Sequence, residues 1–156
     1  MKATAGHVAA LCTSVQKGRR KDAQAEVVFE VESGLRGDAH AGTWHRQVSL
    51  LSAEDVGRFK AKSGLAIDAG AFGENLLTAG VDLSALGVGS QLRVGVDVRL
   101  AVTQLGKTCH ERCAIYYQAG DCIMPRRGLF ARVLSGGTVK VGDSVRIEKL
   151  VARDPF

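Results

Sequence analysis

Polar and apolar positions alternate with period two over several short stretches of this chain. In residues 26–32, Val27, Phe29 and Val31 alternate with Glu26, Glu30 and Glu32. Side chains on a strand point to opposite faces in turn, so this pattern predicts a half-buried β-strand. From 94 to 104, Val96, Val98, Leu100 and Val102 share one side while Asp97 and Arg99 take the other. A third such stretch places Val145 and Ile147 inward and Arg146 and Glu148 outward. Shorter strands are expected over 8–15, 47–51, 75–77 and 129–134. One helix is predicted: Ser52 can cap it, Asp55 stands three residues on as in a capping box, and Gly64 can end it. Val56 and Phe59, one turn apart, give that helix an apolar stripe. A second helical turn is expected around 109–117.

Glycines punctuate these runs. Ser135-Gly136-Gly137-Thr138, between two apolar stretches, predicts a hairpin. Turns are also expected at 87–89 and at Gly142-Asp143, and the tail from Val151 is expected to fray. Many short strands with glycine turns and little helix predict a mainly β fold, a closed or nearly closed β-barrel with a few short helices. With 156 residues and no linker, repeat or low-complexity segment, a single domain over 1–156 is expected.

Composition narrows the partners. Apolar residues make up 46% and charged residues 24%, as in ordinary globular chains, and no run approaches the ~20 apolar residues of a membrane span. The first fifteen residues lack the apolar core of a signal peptide, so a cytoplasmic location and no membrane partner are expected. The net charge of +5 favours an anionic partner. The densest basic run, residues 17–21, reads either as a solvated loop or as a phosphate contact. Nucleic acid is not expected as a partner, because aromatic residues are only 5% of the chain and the run holds none for stacking.

Three stretches could carry chemistry. Residues 34–47 pack Arg36, Asp38, His40, His45 and Arg46 among glycines with Trp44, the only tryptophan. Glycines let backbone amides approach a ligand, and Arg and His offer donors to phosphate or carboxylate oxygens. A turn-rich loop of solvated charges fits the same residues. In residues 70–76, Glu74 and Asn75 either satisfy turn amides or meet a heterocycle. The third stretch, 106–122, holds Cys109, His110, Arg112, Cys113 and Cys122. Positive neighbours lower a thiol pKa, so Cys113 beside Arg112 suits a reactive thiolate that ligates a soft metal or carries sulfur as a persulfide. Cys109 and Cys113 also have zinc-ligand spacing, although adjacent Cys109 and His110 would share one tetrahedral ion with difficulty. Inert buried thiols are the remaining alternative. Serine-hydrolase, zinc-protease and calcium-loop motifs are absent from the sequence.

Taken in order, Gly37-Asp38-Ala39-His40, His45 to Leu51 with Ser49 among them, Gly73-Glu74-Asn75-Leu76, the 109–113 region, and Gly128 to Val133 with Gly136-Gly137 and Val141-Gly142-Asp143 resemble the MOSC domain family, related to the C-terminal part of molybdenum cofactor sulfurases. The resemblance covers residues 6–149 and is to short stand-alone members. It implies a barrel like the small barrel domain of pyruvate kinase and association with the molybdenum–pterin cofactor. It also implies a cysteine that ligates the metal or carries sulfur. That role falls on Cys113, with Cys122 as second candidate, and cofactor binding on His40, His45, Arg46, Ser49, Glu74, Asn75 and Arg112. The sequence contains no pyridoxal-phosphate desulfurase domain, so sulfane sulfur is expected to come from a partner such as a cysteine desulfurase. A molybdoenzyme is the other expected partner. The readings carried forward are a cofactor-binding protein with a reactive thiol, a molybdenum-dependent reductase of N-hydroxylated compounds, and a zinc-stabilised structural domain.

Overall fold

A computed structural model of the chain describes residues 4–17, 20–106 and 127–153. Its strands are β1 (Ala5–Thr13), β2 (Asp22–Gln24), β3 (Glu26–Glu30), β4 (Gly34–Leu35), β5 (Val48–Ser52), β6 (Leu76–Ala79), β7 (Gln91–Val94), β8 (Val98–Leu105), β9 (Leu129–Ser135), β10 (Gly137–Lys140) and β11 (Ser144–Lys149). Hydrogen bonding in the order β11-β7-β8-β9-β5-β6-β1, closed by β1 on β11, makes a seven-stranded barrel. Closure removes the sheet edges that would otherwise template aggregation. The mainly β barrel expected from the pattern is present, and among the described residues one α-helix accompanies it, α1 (Ala53–Ser63).

A row of leucines shows how the barrel fills. Leu129, Leu50, Leu76 and Leu11 are successive partners across β9, β5, β6 and β1, and all four are buried in one core cluster. A three-stranded sheet, β10-β3-β4, adds Val27, Phe29, Leu35 and Val139 to the same core. β5 is buried along its whole length and shows no alternation. Val48 and Leu50 face the barrel core, whereas Leu51 faces a second cluster outside it with Val56, Phe59, Ile67, Leu77 and Phe130. Helix α1 covers that outer cluster and joins β5 to the parallel strand β6.

The helix forms as its ends predict. Asp55 N donates to Ser52 Oγ at 3.0 Å, and Gly64, at φ 72°, donates its N–H to Lys60 O. Val56 and Phe59 are its buried face, each contributing about 1.5–3 kcal/mol. Phe59 meets Phe72 edge-on at 5.3 Å, which closes segment 64–75 over the helix.

Three expectations are corrected. Residues 94–104 are two strands, because the chain turns at Gly95 (φ 65°) and leaves Val96 82% exposed. The alternation was continuous through the turn and concealed it. The glycines at 136–137 do not close a hairpin: β10 pairs with β3, and β9 with β5 and β8. A Cβ on Gly136 would lie 2.6 Å from Phe29 O, so that glycine serves a close approach between the two sheets. The tail is tied down through Arg153. Val151 exchanges hydrogen bonds with Ser90, and Arg153 donates to Leu86 O at 3.0 Å and Leu83 O at 3.3 Å. The helical turn expected at 109–117 lies outside the described residues.

Candidate functional site

Outside the barrel wall, beside segment 64–75, lies a buried polar cluster. Its centre is Lys21, which has no exposed surface. Its backbone N donates to Gly70 O at 2.8 Å, and a Cβ on Gly70 (φ 87°) would stand 2.0 Å from Lys21 O. Only glycine permits that approach. Lys21 Nζ donates to Asp38 Oδ1 at 2.7 Å and lies 2.9 Å from His40 Nδ1. Asp38 also accepts the N–H of Ser14 at 3.0 Å and that of His40 at 3.1 Å. Burial alone would raise its pKa, but the Lys21 hydrogen bond, the Ser14 N–H, the Lys21 charge and the Asn75 amide together hold the carboxyl below its ordinary value. Asp38 is therefore ionised at neutral pH. The solvated loop expected at 17–21 is corrected at Lys21, whose charge is neutralised inside the fold.

Asn75 and Ser49 form the next layer. Asn75 Oδ1 accepts from Ser49 N at 3.0 Å and from Ser49 Oγ at 3.1 Å, and Asn75 Nδ2 donates to Cys12 O at 3.1 Å. Glu74 accepts the N–H groups of Gly70 at 2.8 Å and Phe72 at 3.1 Å. Desolvation pushes its carboxyl above the ordinary range, opposed by those backbone hydrogen bonds and by the Lys21 charge. Glu74, Asn75 and Ser49 thus bind neighbouring strands and the 70–73 turn to one another. Cys12, buried among them, has its thiol pushed up to about 12, first by burial and next by the Glu74 charge. At neutral pH it is a thiol and not a nucleophile.

The cluster continues outward through His40 to an exposed wall. His40 stacks on Trp44, with centroids 6.3 Å apart and planes 5° apart, and Trp44 Nε1 donates to His40 O at 2.7 Å. Lys17 Nζ stands 5.1 Å from the indole centroid on a ring 37% exposed. Trp44 meets His45 edge-on at 5.9 Å. His45 Nε2 and Arg46 Nε both reach Gln104 Oε1, each at 2.9 Å, while Gln104 Nε2 donates to Gly106 O at 2.8 Å. The amide is held from both sides, so its oxygen faces the two basic groups. The guanidinium also rests 5.2 Å over the Phe130 ring. Hydrogen bonding engages its Nε, and its two terminal nitrogens form a fork suited to a phosphate or carboxylate.

Arg112, Cys109, Cys113 and Cys122 lie outside the described residues. The two ends of their segment are described. Gly106 N donates to Gly128 O at 2.7 Å, closing a neck where β8 ends and β9 begins. Arg127 Nε is bound to Asp55 Oδ1 at 3.1 Å, and Arg58 reaches the same oxygen at 2.5 Å. The neck adjoins the Gln104–Arg46–His45 wall, since Gln104 holds the carbonyl of Gly106.

A family model described as the MOSC domain matches residues 37–146. The chain belongs to the MOSC domain family. The match begins one residue before Asp38 and takes in His40, the 44–46 wall, Gln104 and the cysteine segment. Solved MOSC-type folds agree with the barrel. The YuaD protein from Bacillus subtilis superposes with a TM-score of 0.72 at 19% identity, covering 92% of this chain and 95% of that one. YiiM from Geobacillus stearothermophilus gives 0.66 at 17%, covering 90% and 74%, and YiiM from Escherichia coli gives 0.64 at 20%, covering 97% and 71%. At such identities the likeness is one of fold. No curated protein matches the chain by sequence. The MOSC family as a whole is associated with the molybdenum cofactor.

Of the residues expected at the site, the structure brings His40, His45 and Arg46 into one continuous strip and sets Ser49, Glu74 and Asn75 behind it. Sequence reasoning missed Lys21 and Gln104 as partners. Lys21 was hidden in a basic run. Gln104 ended a strand pattern, with nothing to connect it to Arg46, 58 residues away. Trp44 carried a signal, as the lone tryptophan in a polar loop.

Proposed function

We propose that this MOSC chain acts as one domain that binds the molybdenum–pterin cofactor and offers a cysteine of segment 107–126, Cys113 first and Cys122 second, as metal or sulfur ligand. The observation that carries the reading is the preorganised Arg46 fork beside the neck of that segment. Its Nε is fixed by Gln104 and its plane by Phe130, so little ordering remains to be done when an anion arrives. The donor set fits the cofactor. Arg46 and His45 match a phosphate, Trp44 offers an exposed aromatic face to a fused heterocycle, and Lys17 adds positive charge above it. Arg112, adjacent to Cys113, favours the thiolate. The cofactor, when bound, supplies a redox-active metal to which a thiolate can ligate. The chain's own residues bind and orient it: Arg46 and His45 at the phosphate, Trp44 at the ring.

Sulfur carriage uses the same thiolate. It would attack the terminal sulfur of a donor persulfide, as on a cysteine desulfurase, forming one S–S bond and breaking another. The donor leaves as a thiolate, with no net oxidation.

The test is elemental analysis of untagged protein from a cofactor-producing host, with molybdenum and zinc read together. Molybdenum near one atom per chain, lost in Cys113→Ser or Cys122→Ser, is the expected result. Zinc near one atom per chain, with unfolding on chelation, replaces this reading by a structural metal site. Turnover of an N-hydroxylated substrate with supplied electrons separates a reductase from a carrier.

A further inference from the structure

His40 is held by more contacts than a surface loop histidine needs. Its backbone N–H is bound to Asp38 Oδ2 at 3.1 Å, its carbonyl accepts from Trp44 Nε1 at 2.7 Å, and its ring lies parallel to the indole. Its Nδ1 then faces two charged groups at different distances. Lys21 Nζ is 2.9 Å away, and Asp38 Oδ2 is 3.8 Å away. A lysine ammonium has only donors, so the ring atom at 2.9 Å must be the acceptor. The opposite arrangement, a proton on Nδ1, would point to a carboxylate oxygen beyond hydrogen-bond reach and would set N–H against N–H at Lys21.

Lys21 cannot retreat from this contact. It has no exposed surface, and its backbone is clamped to Gly70. Asp38, equally buried in its side chain and ionised, is the counterion of the ammonium and holds it between Asp38 Oδ1 and His40 Nδ1.

We infer that the buried Lys21–Asp38 pair is a positioning device that locks His40 in the tautomer bearing its proton on Nε2. A neutral imidazole whose Nδ1 accepts from lysine carries its remaining proton on Nε2, so that nitrogen is a donor with no lone pair to offer. In this tautomer His40 Nε2 can face only an acceptor atom and is excluded as a metal ligand. This assigns Lys21 a part in the site although it is sealed from solvent. The tautomer itself follows from the geometry of Lys21, Asp38 and His40 and does not rest on the function proposed above.

Long-range proton–nitrogen correlation spectra of the cofactor-free chain, recorded well above the ordinary histidine pKa range, test the tautomer directly. The expected His40 signature is an unprotonated Nδ1 and a protonated Nε2 at their limiting nitrogen shifts. The Lys21→Met/Asp38→Asn double variant removes both charges together, and its fold is checked in the same sample by its amide spectrum. There the Lys21 donor is gone, and the His40 nitrogen shifts should depart from the wild-type limiting pair. A wild-type spectrum with the proton on Nδ1, or with averaged shifts, overturns the inference. A folded double variant that keeps the same single tautomer overturns the role of Lys21. Neither result depends on molybdenum content, so failure of the cofactor reading would be seen separately.

Discussion

Replacing Asp38 by asparagine would leave the Lys21 charge without its counterion in a place that has no solvent. The two charged atoms are 2.7 Å apart, and neither side chain is exposed. At an effective dielectric of about 20 their attraction is roughly 6 kcal/mol, set against a desolvation penalty of several kcal/mol for each ion. Removing one partner of such a pair typically destabilises by about 3–5 kcal/mol, because the other charge stays buried. Urea unfolding should therefore show the midpoint of Asp38→Asn falling by about 2 M, with m near 2 kcal/mol/M in both proteins. Lys21→Met should lose a similar amount. The double variant removes both charges and should lose less than either single. The pH dependence follows from the same pair. Asp38 has its carboxyl lowered from 3.8 in the folded state, so the unfolded state binds protons more readily. Its contribution is fully present above the unfolded pKa and is lost as pH falls through the lower folded one. Acid unfolding should be steeper in the wild type than in the double variant over that window. A loss under about 1 kcal/mol in Asp38→Asn, or additive single effects in the double variant, would refute the argument.

Cys12 should resist alkylation at neutral pH in the folded protein and react once urea exposes it, as read by mass spectrometry, because its pKa stands at about 12. Gly70→Ala should destabilise by at least about 1–3 kcal/mol in the same urea assay, since the residue has φ 87° and its new Cβ would meet Lys21 O. Arg46→Ala should weaken cofactor retention by about 1.5–3 kcal/mol, the worth of one charge-assisted hydrogen bond, measured as equilibrium binding of the released cofactor. Gln104→Ala should weaken it less, through loss of orientation, and unchanged binding in both variants would remove the wall from the site. Glu74 works against stability as pH rises: its folded carboxyl is raised above 4.5, so the folded state holds its proton longer than the unfolded chain does. Midpoints for the wild type should accordingly gain least over the range just above 4.5, where Glu74 opposes other carboxylates.

The barrel was legible wherever one face of a strand meets water, as at residues 26–30 and 144–149. It was also legible at α1, where Ser52 and Gly64 mark the ends by local chemistry. It was less legible at 94–104, because hydrophobic alternation continued through a tight turn, and at 135–140, where the glycines permit an approach between sheets that no local pattern encodes. The site divides in the same manner. His40, His45 and Arg46 stood out in the sequence as polar residues concentrated in one loop, and the fold sets them in one strip. Lys21 was not, because a charge in a basic run looks solvated until its counterion, 17 residues on, is brought against it by the fold. Gln104 was missed for the same reason at a longer separation.

The neck between Gly106 and Gly128 also bears on how freely the length of the chain between them can vary. The two ends of the segment are joined by a hydrogen bond next to β8 and β9, which pair with each other. Each doubling of an excursion closed at such a point adds only about 0.6 kcal/mol of chain entropy. A change in the number of residues between Gly106 and Gly128 is therefore a small entropic cost at this neck.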